Sequence, residues 1–482
     1  MVKTGERMNV TVLMDVAEGA DVVVAGGGTA GVVAAIAAAR SGAKTMLIER
    51  SGYLGGMLTA GNAGITMFTK FSGNPEEHTL DLKTLAEHPE ELQIAGGITM
   101  EMTERLLKTG AGIGNDNTAG SYIFTSSEDF KRMLFEMMEE ANVRLRLHSW
   151  VVDCIREGDT ITGVVVESKS GRQVIPARMI IDATGDGDVA VRAGAPFDVG
   201  VTKDDLCVKE GATIGVMQTM GVMFKMGNVD LTKTFDWLKL HPEYFGKQPF
   251  ARFSLEEARE RFEKNENATI NIIRKNKTPG WFQVYNLPTP GVVTLCCPSV
   301  EGMDGCNVDD LSRAEVLIAR MVGHWSEGLR EIPGFERSFL LHVPEMGVRE
   351  TRHIRGDYVL NLEDIYHQRK FDDCIGFGAH PIDSYPRPKW ISDPETAYPP
   401  RWYFQIPFRS LIVQGSNNLL VAGRCISATH EAFGCIRPTV QCMITGEAAG
   451  NAAALCCKNN IAVRQLKHDV LRRHLIDQGV KC

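Results

Sequence analysis

The 482-residue sequence predicts an α/β fold in which a Rossmann-like domain is split in sequence around an inserted mixed α+β domain. Three observations carry this expectation. A strand–turn–helix–strand pattern punctuated by glycine fills residues 21 to 49. That texture stops over residues 200 to 400, where Trp, Pro, Phe and charged residues scatter. An apolar strand from Asn418 to Gly423 then returns ahead of a helix of small residues. The expected divisions are 20–199 for the first segment, 200–402 for the insert and 403–482 for the second segment.

Within the first unit, Val22–Ala25 reads as a strand, Thr29–Ser41 as a helix and Thr45–Ile48 as a second strand ending at Glu49. Gly26-x-Gly28-x-x-Gly31 falls on the strand-to-helix turn, and Glu49 stands eighteen residues past Gly31. This is the order and spacing of a dinucleotide-binding βαβ unit, with the acid placed to reach a ribose hydroxyl. Gly26 permits the tight turn and Gly28 lets the backbone approach a pyrophosphate. Thr29 and Ala30 open the helix whose N-terminus faces that pyrophosphate, and Gly31 lets the helix lie close to the sheet.

Residues 70 to 120 are polar and read as an insertion carrying one helix, Thr99–Lys108. A helix capped at Ser127 follows, then a strand near Arg144–Leu147. Strands at 150–155, 161–168, 172–176 and 178–182 read as an antiparallel meander returning to the parallel sheet. In the last helix, Gly446, Gly450 and their alanine neighbours are explained as well by core packing as by function, because no second glycine turn with a ribose acid accompanies them.

A net charge of −8 and a pI near 5.9 count against a nucleic-acid or anionic-membrane surface and leave small-molecule chemistry. The stretch from Val22 to Ala39 is too rich in glycine and too light to span a membrane. Lys3, Glu6, Arg7, Asp15 and Glu18 interrupt any apolar run at the start, so no secretory signal is read there and a cytoplasmic location is expected. Twelve cysteines then read as free thiols, and without a C-x-x-C pair no metal site is expected.

The ribose acid suits NAD or FAD equally. The choice comes from "DVVVAGGGTAGVVAAIAAARSGAKTMLIERSGYLGG", "IIDATGDGD", "VPEMGVRETRHIRGDYVL" and "GRCISATHEAFGCIRPTVQCMITGEAAGNAAAL". In these motifs the chain resembles the FAD-dependent oxidoreductases with a glutathione-reductase-like fold, allied to the succinate dehydrogenase and fumarate reductase flavoproteins. The resemblance implies FAD held by Gly26, Gly28 and Gly31 at the pyrophosphate, Glu49 on the ribose, and Arg50, Gly55 and Gly56 along the phosphate and ribitol. It further implies Val151 at the adenine, Ala183, Thr184, Gly185 and Asp186 beneath the AMP half, and Gly423 and Arg424 at the ribitol. Thr439 and Val440 would face the flavin carbonyl edge, where amides at a helix N-terminus stabilise a reduced, negatively charged flavin. No His follows Gly55-Gly56, so non-covalent FAD is expected, and the dicarboxylate motifs of fumarate reductases are not recognisable.

The lack of a second nucleotide turn points to an external electron donor or acceptor. A small polar or anionic substrate is expected between flavin and insert, met by Arg349, Arg352, Asp383 and Arg409; Arg401 and Tyr385 belong to the same polar stretches. The competing expectation is that these arginines pair with Asp357, Glu350 and Glu363. For proton transfer, His430 and then His380 are the candidates. A carbon–carbon double-bond reductase would instead use Arg352 or Tyr403 as proton donor. Cys425 and Cys435 read as small core residues. A non-redox FAD protein is the alternative of another class. Substrate identity, direction of electron flow and any homo-oligomer stay open.

Overall fold

In the computed structural model, the described residues are 11–66, 94–114, 122–246, 254–275, 277, 279–296, 298–380, 382–392 and 403–482. Most of the polar insertion expected after residue 70 and Arg401 lie outside them.

The first unit is built from β1 (Ala20–Ala25), α1 (Thr29–Arg40) and β2 (Thr45–Ile48). Val22, Val23 and Val24 and all of β2 are buried, because a parallel sheet is covered on both faces. Two helices follow, α2 (Gly97–Lys108) and α3 (Ser127–Glu140). The cap of α3 is Ser126, whose hydroxyl accepts from Asp129 N–H, one residue earlier than expected. Ser127 turns inward instead, donating to Asn62 Oδ1 at 3.0 Å and accepting from Lys225 Nζ at 2.7 Å.

Next come β3 (Arg144–Arg146), β4 (Trp150–Glu157), β5 (Thr160–Ser168) and β6 (Gly171–Asp182). The two strands expected over 172–182 are one. Its first half runs antiparallel to β5 up to the pair Pro176–Gly163; its second half runs parallel to β1 from the pair Ala177–Ala20. Pro176 stands where the partner changes, a position at which its missing N–H is tolerated. The resulting order is β3-β2-β1-β6-β5-β4, within an eight-stranded sheet.

A second, all-antiparallel sheet is formed by β7 (Phe224–Gly227), β8 (Phe245–Gly246), β9 (Thr269–Ile273), β10 (Trp281–Asn286), β11 (Val293–Cys296) and β12 (Phe339–His342), in the order β8-β9-β10-β11-β7-β12. Helix α4 (Val308–Leu329) buries Ile318, Val322 and Trp325 in the core of this sheet, which draws on residues from Met220 to Met346. Residues from Ile354 to Phe408 instead pack with the first core, so the second core is narrower than the 200–402 segment.

The chain then returns. Leu419–Val421, β14 after the short β13 (Arg352–Ile354), pairs in parallel with Ile180–Asp182 of β6. It leads to α5 (His430–Ile436) and α6 (Thr439–Asn459). Helix α6 is buried nearly all round and lies against α1: a Cβ on Gly446 would stand 2.2 Å from the Ala30 carbonyl oxygen, and one on Gly450 2.2 Å from that of Ala34. Core packing accounts for these small residues, since only glycine admits so close a backbone approach. Among the described residues, no helix is long and apolar enough to cross a membrane.

Candidate active site

The three glycines of the turn meet three different surroundings. Gly26 has φ +98°, which favours glycine, and its Cβ would strike the Ala183 carbonyl oxygen at 2.5 Å. Gly31 lies so close beneath the turn that a Cβ would stand 1.8 Å from the Gly26 oxygen. Gly28, the N-cap of α1, has nothing within 4 Å of an added Cβ. No side chain caps α1 and no acid occupies its first turn, so its positive end is left for an anion. Gly56 closes over the same opening, its Cβ position 3.2 Å from Gly28 Cα, and Gly55 N–H donates to the Gly27 oxygen at 2.8 Å. Thr29 Oγ1 reaches the Gly55 oxygen at 3.5 Å.

Glu49 is aimed at the turn: its carboxylate accepts from Gly27 N–H at 2.6 Å and Ser51 N–H at 2.7 Å. Ser149 N–H donates to the Glu49 carbonyl, the Arg50 guanidinium lies 5.8 Å from the Trp150 ring centroid, and Val151 follows, buried. On the other side, Ala183 N–H donates to the Ala25 oxygen, and Gly423 sits with φ +81° against Ala30. Thr184 bonds Asp182 Oδ1, a fully buried carboxyl that burial pushes up to about 6. Arg424 pairs with Asp186 at 2.7 Å over Gly185 and donates to Thr351 Oγ1 at 2.9 Å. Thr439 and Val440 open α6, both buried. Gly55, Gly56, Ala183 and Gly423 thus close on the glycine turn and the start of α1, and the open space at Gly28 fits a diphosphate.

The residues expected at the substrate divide. Arg349, His380 and Asp383 gather with Arg437 and Arg387, whose charges, against burial, hold the Asp383 carboxyl below its usual range. Arg437 bonds Asp383 Oδ2 at 2.5 Å and its carbonyl at 3.1 Å; Arg387 donates to the Ile382 oxygen at 2.9 Å; Arg349 donates to the carbonyl and hydroxyl oxygens of Thr219. The Nε atoms of Arg387 and Arg437 are buried without a partner. Arg437 immediately precedes Pro438 and α6. Neither it nor Arg387 was expected at the site, because "IRPTVQ" reads as ordinary helix initiation and Arg387 stands in a proline loop.

The others lie apart. Arg352 is held by Asp188 at 2.8 Å and the Asp186 oxygen at 3.1 Å, Arg409 is clamped on Asp373 at 2.9 and 3.1 Å, and Tyr403 accepts from Lys370 at 2.7 Å. Arg352, Arg355 and Arg409 do pair, but with other acids than those expected: Asp357 goes to Arg464, and Glu350 to histidines. His430 is fully buried, with Glu350 on Nδ1 at 2.8 Å and the Pro386 oxygen on Nε2 at 3.1 Å. Both nitrogens face acceptors, so the ring donates twice and offers no lone pair as a base. Burial opposes its charge, but the bond and charge of Glu350 outweigh that and raise its pKa. Glu350 also binds His353 at 2.8 Å and Gln218 N–H at 2.8 Å; burial raises its pKa less than the two histidines lower it. Cys425 and Cys435 are fully buried and pushed well above the ordinary thiol range, which makes them inert packing.

The family of FAD dependent oxidoreductases matches residues 21–475 of the chain. No curated protein matches it. Similar solved structures include a geranylgeranyl bacteriochlorophyll reductase-like protein from Thermoplasma acidophilum, 13% identical, with 96% of this chain and 91% of that one covered and a TM-score of 0.43. Another is p-nitrophenol 4-monooxygenase from Pseudomonas putida, 11% identical over 96% and 84% of the two chains, with a TM-score of 0.46. A flavoprotein/dehydrogenase from Cytophaga hutchinsonii is 13% identical over 95% and 83%, with a TM-score of 0.43. With nearly its whole length matched, the chain belongs to the FAD dependent oxidoreductase family and is a redox enzyme whose cofactor is FAD.

Proposed function

We propose that the enzyme moves a hydride between non-covalently bound FAD and a small, anionic organic substrate oxidised or reduced at a hydroxyl-, amine- or carbonyl-bearing carbon. An external partner supplies or removes the electrons. We further propose that the fold is a glutathione-reductase-like FAD domain split around a substrate domain at the boundaries given above, with kinship to the succinate dehydrogenase flavoproteins in fold and not in substrate. The glycine turn, Thr29, Ala30, Glu49, Arg50, Gly55, Gly56 and Val151 would hold the nucleotide half. Ala183 to Asp186, Gly423, Arg424, Thr439 and Val440 would hold the rest.

The observation that carries the substrate class is the cluster at the start of α6. The charges of three guanidiniums and His380 act on the Asp383 carboxylate, and two buried Nε–H groups there lack an acceptor. Planar cationic forks with spare donors suit a carboxylate or other oxyanion. FAD, when bound, accepts or donates the hydride. In this chain Arg349 and Arg437 would orient the substrate, and His380 would take or give the accompanying proton at its oxygen or nitrogen. His430 would position the Pro386 loop through its two donated bonds. The double-bond reductase reading finds no support at Arg352 or Tyr403, each of which is engaged elsewhere.

Anaerobic mixing of the yellow holoenzyme with hydroxy acids, amino acids, polyols, amines and enones tests the proposal. Flavin bleaching by a carboxylate-bearing alcohol or amine is expected, with His380→Gln slowing it roughly 100-fold or more at unchanged substrate affinity. Bleaching by uncharged polyols or enones alone would refute the substrate class.

A further inference from the structure

A cavity of about 290 Å³ opens between the 198–209 segment, the 353–363 segment and the start of α5. It shares no residue with the proposed FAD lining or with the cluster around Asp383. His353, Thr429 and Glu431 line it, and they are 2%, 8% and 1% exposed. Two of them carry an unmatched polar atom: His353 Nδ1 and Thr429 Oγ1 are buried and meet no hydrogen-bond partner. Buried polar groups are rarely left so unless a water or a ligand completes them.

The chemistry of the missing partner follows from the walls. His353 Nε2 faces Glu350 at 2.8 Å; with the ring hydrogen assigned to that nitrogen, the neutral ring presents a lone pair at Nδ1 that calls for a donor. The Glu431 carboxylate is fixed by Leu206 and Cys207 N–H groups at 2.9 and 2.6 Å, and its remaining lone pairs also accept. Asp204 and Glu363 add two carboxylates, against one further cation, Lys209; Asp198 is neutralised by Arg355 at 2.9 Å. The cavity is thus rich in acceptors and carries more negative than positive charge. A cavity of about 150 Å³ takes a benzene ring, so this one has room for roughly ten heavy atoms.

We propose that this cavity is a second ligand site that binds a small protonated amine, its N–H groups donating to His353, Thr429 and Glu431 and its charge met by Asp204 and Glu363. The proposal stands on the cavity and not on the identity of the redox substrate.

The test is calorimetric titration and thermal melting of the FAD-loaded enzyme with ethanolamine and 1,4-diaminobutane, beside ethylene glycol and glycolate as uncharged and anionic counterparts. The amines are expected to bind and raise the melting temperature, and the counterparts to do neither. Thr429→Val keeps the side-chain shape and removes the unmatched hydroxyl. Without ligand it should melt at the same temperature or higher, while amine affinity falls about fivefold or more. Glu363→Gln, at an exposed position that folding does not need, should weaken the amines as well. No response to either amine up to about 10 mM, an equal response to glycolate, or unchanged affinity in both variants would overturn the proposal.

Discussion

Replacing Gly28 or Gly31 with alanine, the same chemical change three residues apart, should separate the holding of FAD from the packing of α1. Gly28 has φ −74° and ψ −164°, which alanine adopts without strain, and its Cβ meets nothing within 4 Å. A less flexible unfolded chain stabilises Gly28→Ala by about 0.4–1 kcal/mol, and loss of a glycine N-cap costs a similar amount. Apoprotein stability should therefore stay within about 0.5 kcal/mol of the parent. The new methyl group, however, stands in the opening proposed above for the pyrophosphate. Overpacking there of about 2–3 kcal/mol corresponds to roughly 30- to 150-fold weaker FAD. In Gly31→Ala the methyl lies 1.8 Å from the Gly26 oxygen and must retreat by more than an ångström. The helix cannot follow, because Ala30 and Ala34 already touch Gly446 and Gly450 on its other side. Overpacking of about 3 kcal/mol, reduced by about 1 kcal/mol of helix propensity, leaves a net loss near 2 kcal/mol. Urea unfolding of the apoproteins and FAD titration followed by flavin fluorescence read the two effects separately. A Gly28→Ala protein that binds FAD as tightly as the parent, or a Gly31→Ala protein of parental stability, would refute the reasoning.

Three further outcomes follow from the buried charges and the cofactor. Burial pushes Glu447, which accepts from Ile98 N–H, up to about 8, so the folded state binds a proton that the unfolded state releases near 4.5. Stability is therefore full below about 4.5 and lost as pH rises to about 8, by a term on the order of 3–5 kcal/mol; Glu447→Gln should flatten that decline and melt higher at pH 8.5. His430→Gln should destabilise by roughly 3–5 kcal/mol, because it leaves the buried Glu350 short of its charged partner. With the pKa of Glu350 lowered to about 2 and that of His430 raised, this pair's contribution is complete between about 4.5 and 6.5 and is lost toward acid and toward alkaline pH, so the gap between parent and variant in urea melts should narrow on either side of that window. Acid precipitation should leave the yellow flavin in the supernatant; flavin retained in the pellet would show a covalent bond.

The glycine turn, its helix and the acid that closes back on the turn were legible because their placement is local: spacing within thirty residues states both the bend and the position of Glu49. The Glu350–His430 pair and the Asp383–Arg437 pair were not, since their members stand 80 and 54 residues apart and no periodicity marks them. His430 was singled out for its place beside a cofactor motif, which says nothing of the two acceptors that claim its nitrogens. Pro176 misled in the opposite way. Read locally it ends a strand, and only the change of neighbour from β5 to β1 shows why it does not.

The contact of α1 with α6 sets a timetable for synthesis. The surface that covers Ala30 and Ala34 is made of residues 446 to 450, about four hundred positions later. At roughly 5–20 residues per second, the ribosome takes roughly 20–80 s to supply it. Through that interval the first βαβ unit has its sheet-facing side satisfied and its outer alanines bare. Closure of the α1–α6 contact is thereby a late event, completed when residues 446 to 450 arrive, and the nascent amino-terminal half is the stage at which chaperones have most to shield.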